Sequence, residues 1–209
     1  MGIIVAAMNY LGHAYLSSPE TFIGNMAGDS LKGVDVSALE DGLRDGVTRH
    51  RMIDAVTDAH PSFVSVTSMF AKGGLRYAGV LADLAFDWAI ASEWTGYSGV
   101  EWDVFKDEIY ARLDDGSRRM PGYFYVSAGW LVAENWFESY RSIAGMELAF
   151  YRLSRKTDRA IDLKKACGVI ASHEGEIREC TRRLVSSLLQ QPGIREDIPN
   201  LLSRPCFSP

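Results

Sequence analysis

Residues 75–94 constrain the fold most, because their sequence is typical of a long helix that is buried on nearly all sides. The segment reads LRYAGVLADLAFDWAIASEW, is rich in alanine and leucine, and contains only Gly79 as a residue that disfavours a helix. Two acids, Asp83 and Asp87, lie four residues apart inside it and therefore share one helix face. Their neighbours are apolar, so the acids would be costly to bury without a cation, a proton or a positive partner.

Helical periodicity also recurs along the rest of the chain. Ser18-Pro19-Glu20 is typical of a helix start, and apolar residues follow at helical spacing to about Lys32. Ser37 to Glu40 matches a capping box. The further predicted helices run from that box to His60-Pro61, from Pro61 to Gly73-Gly74, and over 99–114, 122–137, 138–155 and 158–190. No segment alternates with a period of two, so the sequence predicts an all-α, single-domain helical bundle over 1–209, with an irregular tail at 192–209.

Composition excludes several classes of function. The net charge is −5, and no cluster of basic residues with interleaved aromatics predicts a nucleic-acid partner. The apolar N-terminal residues lack the positive region of a signal peptide and are too few to cross a membrane, so we expect no membrane partner. The three cysteines form no close CxxC pair, which favours a reducing, cytoplasmic location.

Polar residues recur in pairs at i and i+4 in three of the predicted helices. The pairs are Asn25 and Asp29, His50 and Asp54, and Asp83 and Asp87. Each pair projects from one helix face, and faces that converge in a bundle core can hold a divalent metal. Mixed His and Asp ligands suit Mn or Mg, with Fe or Zn also compatible with the histidine.

Each member of these pairs also has an ordinary structural interpretation. His50 and Asp54, taken alone, are more typical of a solvated helix face, whereas Asp83 and Asp87 favour structure and function about equally. Asp29 and Asn25 could end a helix or lie in the core, and His13 could be a core histidine with satisfied hydrogen bonds. Asp58, just before the predicted break, is typical of a surface or capping residue.

Four sequence blocks, in this order, resemble the bacterial acyl carrier protein phosphodiesterases, also called acyl carrier protein hydrolases. The blocks are MNYLGHAYLS at 8–17, GNMAGD at 24–29, HRMIDAVTDAHP at 50–61 and LADLAFDWAIASEW at 81–94. The second half of the chain resembles the family only loosely. The resemblance implies that Met8 matches the usual start and that residues 2–7 are an extension. The family often has a histidine where this chain has Trp88.

The resemblance implies a fold related to the HD-type metal phosphohydrolases and a defined reaction. Such enzymes remove 4′-phosphopantetheine from holo acyl carrier protein, with Mn or Mg as the expected cofactor. The implied metal ligands are Asp29, His50 and Asp87, with Asp54 either a ligand or the group that orients His50, and with Asn25 behind them. The implied catalytic residues are Asp83 as the base or water-orienting group, His13 as the proton donor to the leaving serine oxygen, and Arg51 as a phosphate contact.

Two rival functions fit the same residues. One keeps the metal but takes a nucleotide or another small phosphodiester as substrate, and the other is a non-catalytic helical binding protein with structural ion pairs. Because an acyl carrier protein is acidic, its docking surface should be locally basic. The candidates are Arg44, Arg49, Arg51, Lys72, Arg76, Arg118 and Arg119, although each is also compatible with ordinary surface charge, and the sequence predicts no oligomeric state.

Overall fold

The computed structural model describes residues 10–118, 120, 122–157 and 161–194, and these residues form α-helices without any β-strand. The helices are α1 (Tyr10–Tyr15), α2 (Phe22–Ala27), α3 (Asp41–Ala59), α4 (Pro61–Lys72), α5 (Ala78–Ser92), α6 (Trp94–Tyr97), α7 (Trp102–Ser117), α8 (Gly122–Ala133), α9 (Trp136–Ser139), α10 (Ile143–Thr157), α11 (Leu163–Ser172) and α12 (Glu174–Leu189). Short 3-10 turns at Gly28–Leu31 and Val36–Ala38 connect α2 to α3. The predicted all-α class is confirmed.

Helix α5 lies at the centre of the fold. Its residues from Leu81 to Ala91 are all buried, and it packs against α1, α4, α10 and α12. The prediction of a long buried helix is therefore confirmed, although the helix begins only at Ala78. Tyr77 has a positive φ of 61°, which ends the preceding turn and sets the start of α5.

Two glycines allow α2 and α3 to cross closely. A Cβ on Gly24 would overlap the carbonyl oxygen of Leu43, and a Cβ on Gly46 would overlap the carbonyl oxygen of Thr21. Larger residues would push the two helices apart. This close approach fixes the separation between the polar side chains that α2 and α3 carry.

Two predicted helix starts are wrong. Ser18 does not cap a helix at Pro19, because its side chain and backbone N–H bond the hydroxyl of Thr21, and α2 begins at Phe22. Ser37 is not part of a capping box, since its backbone N–H and hydroxyl both donate to Asp35 and form a 3-10 turn. Helix α3 consequently begins at Asp41.

The later helix boundaries are only partly as predicted. The break at His60-Pro61 and the end of α4 before Gly73-Gly74 are confirmed. The predicted helix at 158–190 is instead two helices that meet at His173, and a positive φ at Asn135 separates α8 from α9. The predicted extension at 2–7, the match of Met8 and most of the tail lie outside the described residues.

None of the helices in the described part of the chain combines the length and the apolar character that a membrane span requires.

Candidate metal centre

Four polar side chains from three neighbouring segments meet beside α1. Helix α1 supplies His13, the 3-10 turn after α2 supplies Asp29, and α3 supplies His50 and Asp54. The ligand atoms of His13, His50 and Asp54 all lie within 4.8 Å of one another. Asp29 Oδ1 lies 3.4 Å from His50 Nε2. We refer to these four residues as the polar cluster.

Asn25 orients both imidazole rings of the polar cluster. Its amide nitrogen donates to the His13 carbonyl and the Ser17 hydroxyl, so its side-chain oxygen faces His13 Nδ1 at 2.8 Å. The backbone oxygen of Asn25 lies 2.8 Å from His50 Nδ1. Both partners are acceptors, so each histidine donates from Nδ1, and in the neutral ring each Nε2 presents a lone pair. The two rings stack with their centroids 4.2 Å apart.

Both Nε2 atoms point at carboxylates. His13 Nε2 lies 3.2 Å from Asp54 Oδ1, and His50 Nε2 lies 3.2 Å from Asp54 Oδ2. His50 Nε2 and Asp29 Oδ1 are buried, and neither makes a hydrogen bond of acceptable geometry within the described structure. Lone pairs that face carboxylate oxygens repel unless a proton or a cation lies between them. The arrangement therefore fits a positive charge at this point.

The pKa values of the polar cluster also indicate that it accommodates a positive charge. Burial opposes a charge on His50, yet the neighbouring Asp29 and Asp54 raise its pKa to about 9. Burial also opposes charge on Asp54 and Asp29, but the adjacent histidines and, for Asp29, Lys32 hold both pKa values below the usual range. Burial lowers the pKa of His13 despite the nearby Asp54. The cluster thus keeps its carboxylates ionised and takes up a cation or a proton at His50.

The donor set fits a divalent metal. Two imidazole nitrogens and two carboxylates suit Mn, Fe or Zn better than Ca, which prefers oxygen ligands alone. The side chain of His50 is 4% exposed, whereas that of Asp54 is 36% exposed and opens the cluster to solvent on one side. A site with buried nitrogen donors and one accessible edge can hold a metal and still admit a substrate.

Gly28 makes room for the His50 ring. A Cβ at this position would overlap Cγ and Cδ2 of His50, so any larger residue must displace the ring or the backbone. Sequence reasoning identified the GNMAGD block but gave Gly28 no role. The signal is only visible once α2 and α3 are placed against each other.

The two acids of α5 lie beside the polar cluster in different surroundings. Asp87 is fully buried, and its two carboxylate oxygens accept the backbone N–H groups of Leu11 and Gly12, at 3.1 and 2.9 Å. It therefore anchors the first turn of α1, and burial raises its pKa to about 8 although these N–H groups act against the rise. Both of its oxygens already accept backbone N–H groups, which does not favour the predicted role as a leading ligand.

Asp83 is 5% exposed and forms no hydrogen bond or ion pair with the described residues. Burial, together with the charges of Asp87, Asp54, Asp58 and Asp29, raises its pKa well above the usual range. Burial and neighbouring negative charge both favour the protonated form of a carboxyl group.

Trp88 lies in the core and not in the site. It is 1% exposed, and the guanidinium of Arg178 on α12 lies 4.5 Å from the centre of its ring. The side chain at position 88 therefore faces α12. The absence of the family's usual histidine removes no group from the polar cluster of this chain.

The basic residues near the site differ from those expected. Arg51 is exposed and follows His50 by one residue, so it is rotated by about 100° around α3. Lys32 was not predicted, yet its Nζ lies 2.8 Å from Asp29 Oδ1 at the edge of the polar cluster. The spacing of three residues between Asp29 and Lys32 is the sequence feature that could have indicated this ion pair.

The candidate docking residues are dispersed. Arg49 is buried, and its guanidinium donates to the carbonyl oxygens of Leu16 and Gly193, so it ties the turn after α12 to α3 and is not an exposed docking residue. Arg44 pairs with Asp41 and Arg118 pairs with Asp114. Arg119 lies outside the described residues.

Comparison with known proteins identifies one family. Residues 8–188 match the family model described as acyl carrier protein phosphodiesterase. Proteins of that name are similar to this chain at low identity: 24% in Serratia proteamaculans over 65% of this chain and 72% of the relative. In Pectobacterium atrosepticum the identity is 21% over 79% and 88%, and in Salmonella newport it is 22% over 82% and 91%. No solved structure matches the chain. The family resemblance drawn from the four sequence blocks is confirmed.

Proposed function

This chain belongs to the acyl carrier protein phosphodiesterase family, and we propose that it hydrolyses the phosphodiester of holo acyl carrier protein in a metal-dependent reaction. Water adds to phosphorus, the bond to the carrier's serine oxygen breaks, and the products are apo-carrier and 4′-phosphopantetheine. One observation carries the proposal: the Nε2 atoms of two histidines lie 3.2 to 3.4 Å from carboxylate oxygens of Asp54 and Asp29, and this donor set fits a divalent metal.

The metal would be held by His13, Asp29, His50 and Asp54. When bound, a divalent cation supplies Lewis-acid polarisation of a phosphoryl oxygen and lowers the pKa of water. From the sequence we expect Mn or Mg, and of these two metals the two imidazole ligands favour Mn. In this proposal His13 is a ligand instead of the proton donor.

Three further residues support the reaction around the polar cluster. Lys32 is exposed beside Asp29 and would contact the anionic phosphate, a role first expected of Arg51. Asp83, whose protonated form is favoured by burial and by the neighbouring acids, would donate a proton to the departing serine oxygen. Asn25 fixes both histidine tautomers, as the predicted position behind the ligands requires.

Asp87 has a positioning role in this proposal. By holding the backbone N–H groups of Leu11 and Gly12, it fixes the short helix that carries His13. The proposal retains a single domain, a cytoplasmic location and an acidic carrier as partner, without nucleic acid or membrane. The relation to HD-type phosphohydrolases stays a prediction.

The test is to incubate the Mn-loaded protein with holo acyl carrier protein and to record the mass of the carrier. We expect loss of the phosphopantetheine mass with wild-type protein and no loss with His50→Ala, which should remain folded by circular dichroism. Metal analysis of both proteins accompanies the assay. The matched control is His173→Ala, because His173 lies between α11 and α12 and lines no part of the polar cluster.

Each other outcome would count against a specific part of the proposal. Hydrolysis of nucleotides or small phosphodiesters without any change in the carrier would show that the substrate is a small phosphodiester and not the carrier. Failure to retain any divalent metal would instead favour a non-catalytic binding protein. Full activity of His50→Ala would remove the polar cluster from the mechanism.

A further inference from the structure

Helix α8 exposes apolar side chains that a solvated helix would not normally carry. Its sequence GYFYVSAGWLVA contains no charged residue. Phe124 and Leu131 are buried against the core, but Tyr123, Val126 and Trp130 are about half exposed. A helix that is apolar on all sides is expected to be covered, so the outer face of α8 is available for a ligand.

This outer face forms one wall of a groove against α10. The groove has a volume of about 640 Å³, within the range of small-molecule sites. It is lined by Tyr123, Trp130, Trp136, Leu148, Tyr151 and Arg155, among others. We call it the α8–α10 groove.

Tyr10 connects the α8–α10 groove to the polar cluster. It precedes His13 by three residues, so the two side chains share one face of α1 and lie about one helical turn apart. The Tyr10 ring centroid is 6.3 Å from that of Trp136, which lines the groove.

The charge of the groove favours a neutral ligand over a strongly charged one. Arg152 pairs with Glu134 at 2.7 Å, so these two lining residues neutralise each other. Arg155 lies over the Tyr151 ring, with its guanidinium 5.9 Å from the centroid. Aromatic walls with a few polar groups suit a long, uncharged molecule that carries both apolar carbons and amides.

We propose that the α8–α10 groove binds the pantetheine arm of the substrate while the phosphate lies at the polar cluster. This inference rests on the proposed function, because it assigns a place to the group that the hydrolysis releases. The arm is uncharged beyond its phosphate, contains a branched apolar carbon and two amides, and extends away from the phosphorus. Tyr10, whose ring lies 6.3 Å from that of Trp136 and which precedes His13 by one helical turn, relates the groove to the polar cluster.

Two tyrosines of α8 provide a matched test. Tyr123 is 52% exposed and lines the α8–α10 groove, whereas Tyr125 is 50% exposed and lines the neighbouring groove against α7. Pantetheine, which lacks the phosphate, is titrated into the metal-free wild type, Tyr123→Ala and Tyr125→Ala by isothermal titration calorimetry. We expect about tenfold weaker binding to Tyr123→Ala and no change for Tyr125→Ala.

Kinetics give a second readout that a general loss of structure would not reproduce. Whereas Tyr125→Ala should leave KM and kcat for holo-carrier at the wild-type values, Tyr123→Ala should raise that KM about tenfold. Leu148→Ser, from the α10 wall, should behave in the same way.

The proposal is overturned if pantetheine does not bind wild type, or if the two tyrosine variants bind it equally. It is also overturned if wild type self-associates and Leu148→Ser abolishes the association, because a second copy would then occupy the groove. Pantetheine binding needs neither metal nor turnover. Failure of the hydrolase activity with retained, Tyr123-dependent binding would therefore reject the proposed function alone.

Discussion

The pairs His50 and Asp54 on α3 and Asp83 and Asp87 on α5 have the same spacing and opposite surroundings. On α3 the pair faces other side chains, and His50 Nε2 lies 3.2 to 3.4 Å from carboxylate oxygens of Asp54 and Asp29. On α5 the oxygens of Asp87 already accept two backbone N–H groups. Spacing of four thus fixes a shared direction but not a role. Whether an acid binds metal depends on which of its acceptor positions the backbone has already filled.

The largest expected effect separates Asp54 from its neighbour Asp58. Asp54 is the only carboxylate of the polar cluster that approaches both histidines, so Asp54→Asn should lose metal and reduce kcat/KM about 1,000-fold. Asp58→Asn makes the same chemical change one helical turn later, at an exposed position, and should change neither. Native mass spectrometry and the carrier mass assay measure the two effects. Equal losses in both variants would contradict the assignment.

A smaller effect tests the space around His50. Gly28→Ala should displace the His50 ring and weaken metal affinity by about 10- to 100-fold, the range for residues that orient ligands. Gly168→Ala on α11 is the control, because a Cβ there meets nothing within 4 Å. Metal titration of the two variants provides the comparison. Unaltered affinity in Gly28→Ala would show that the ring can move without cost.

Asp87 should affect stability and rate more than metal binding. Asp87→Asn keeps one acceptor for the N–H groups of Leu11 and Gly12 but replaces the other with a donor, which should cost about 1–3 kcal/mol of unfolding free energy. Because α1 carries His13, we expect kcat to fall about tenfold with metal still bound. Urea denaturation and metal analysis measure both. Complete loss of metal with normal stability would restore Asp87 as a ligand.

The sequence predicts what is local and misses what depends on distant contacts. The all-α class and the break at His60-Pro61 follow from periodicity and proline chemistry. Helix α1 has only six residues and is held by Asp87, 75 positions away from Gly12, so no local pattern indicates it. The break at Asn135 likewise carries no glycine or proline signal.

The candidate site shows the same division. The spacing of i and i+4 predicts a shared direction for two side chains on one helix, but the different uses of the α3 and α5 pairs depend on which helix each pair meets. The Asp83 and Asp87 pair had the stronger case from sequence because its neighbours are apolar. One of these two buried acids, Asp87, anchors α1. The partly exposed Asp54, in contrast, lies at the centre of the polar cluster.

The final prediction concerns the proton that His50 holds when no metal is present. Its pKa is raised from 6.5 to about 9, because Asp29 and Asp54 outweigh the opposing effect of burial. The metal-free fold therefore gains stability from this group that is fully present below pH 6.5 and is lost as pH rises through about 9. A metal needs the neutral ring, so metal uptake at pH 7.5 should release about one proton, and none well above pH 9.

Calorimetry in two buffers of different ionisation enthalpy measures this proton directly. Asp29→Asn removes one of the two carboxylates that raise the pKa of His50, so the proton released at pH 7.5 should decrease in this variant. For the α5 pair we expect no such change. Asp87 contacts neither histidine, so Asp87→Asn should leave the proton release unchanged. A heat of metal binding that does not depend on the buffer between pH 7 and 8.5 would show that His50 is already neutral. In that case Asp54 and Asp29 would not raise the pKa of His50, and this difference between the α3 pair and the α5 pair would be absent.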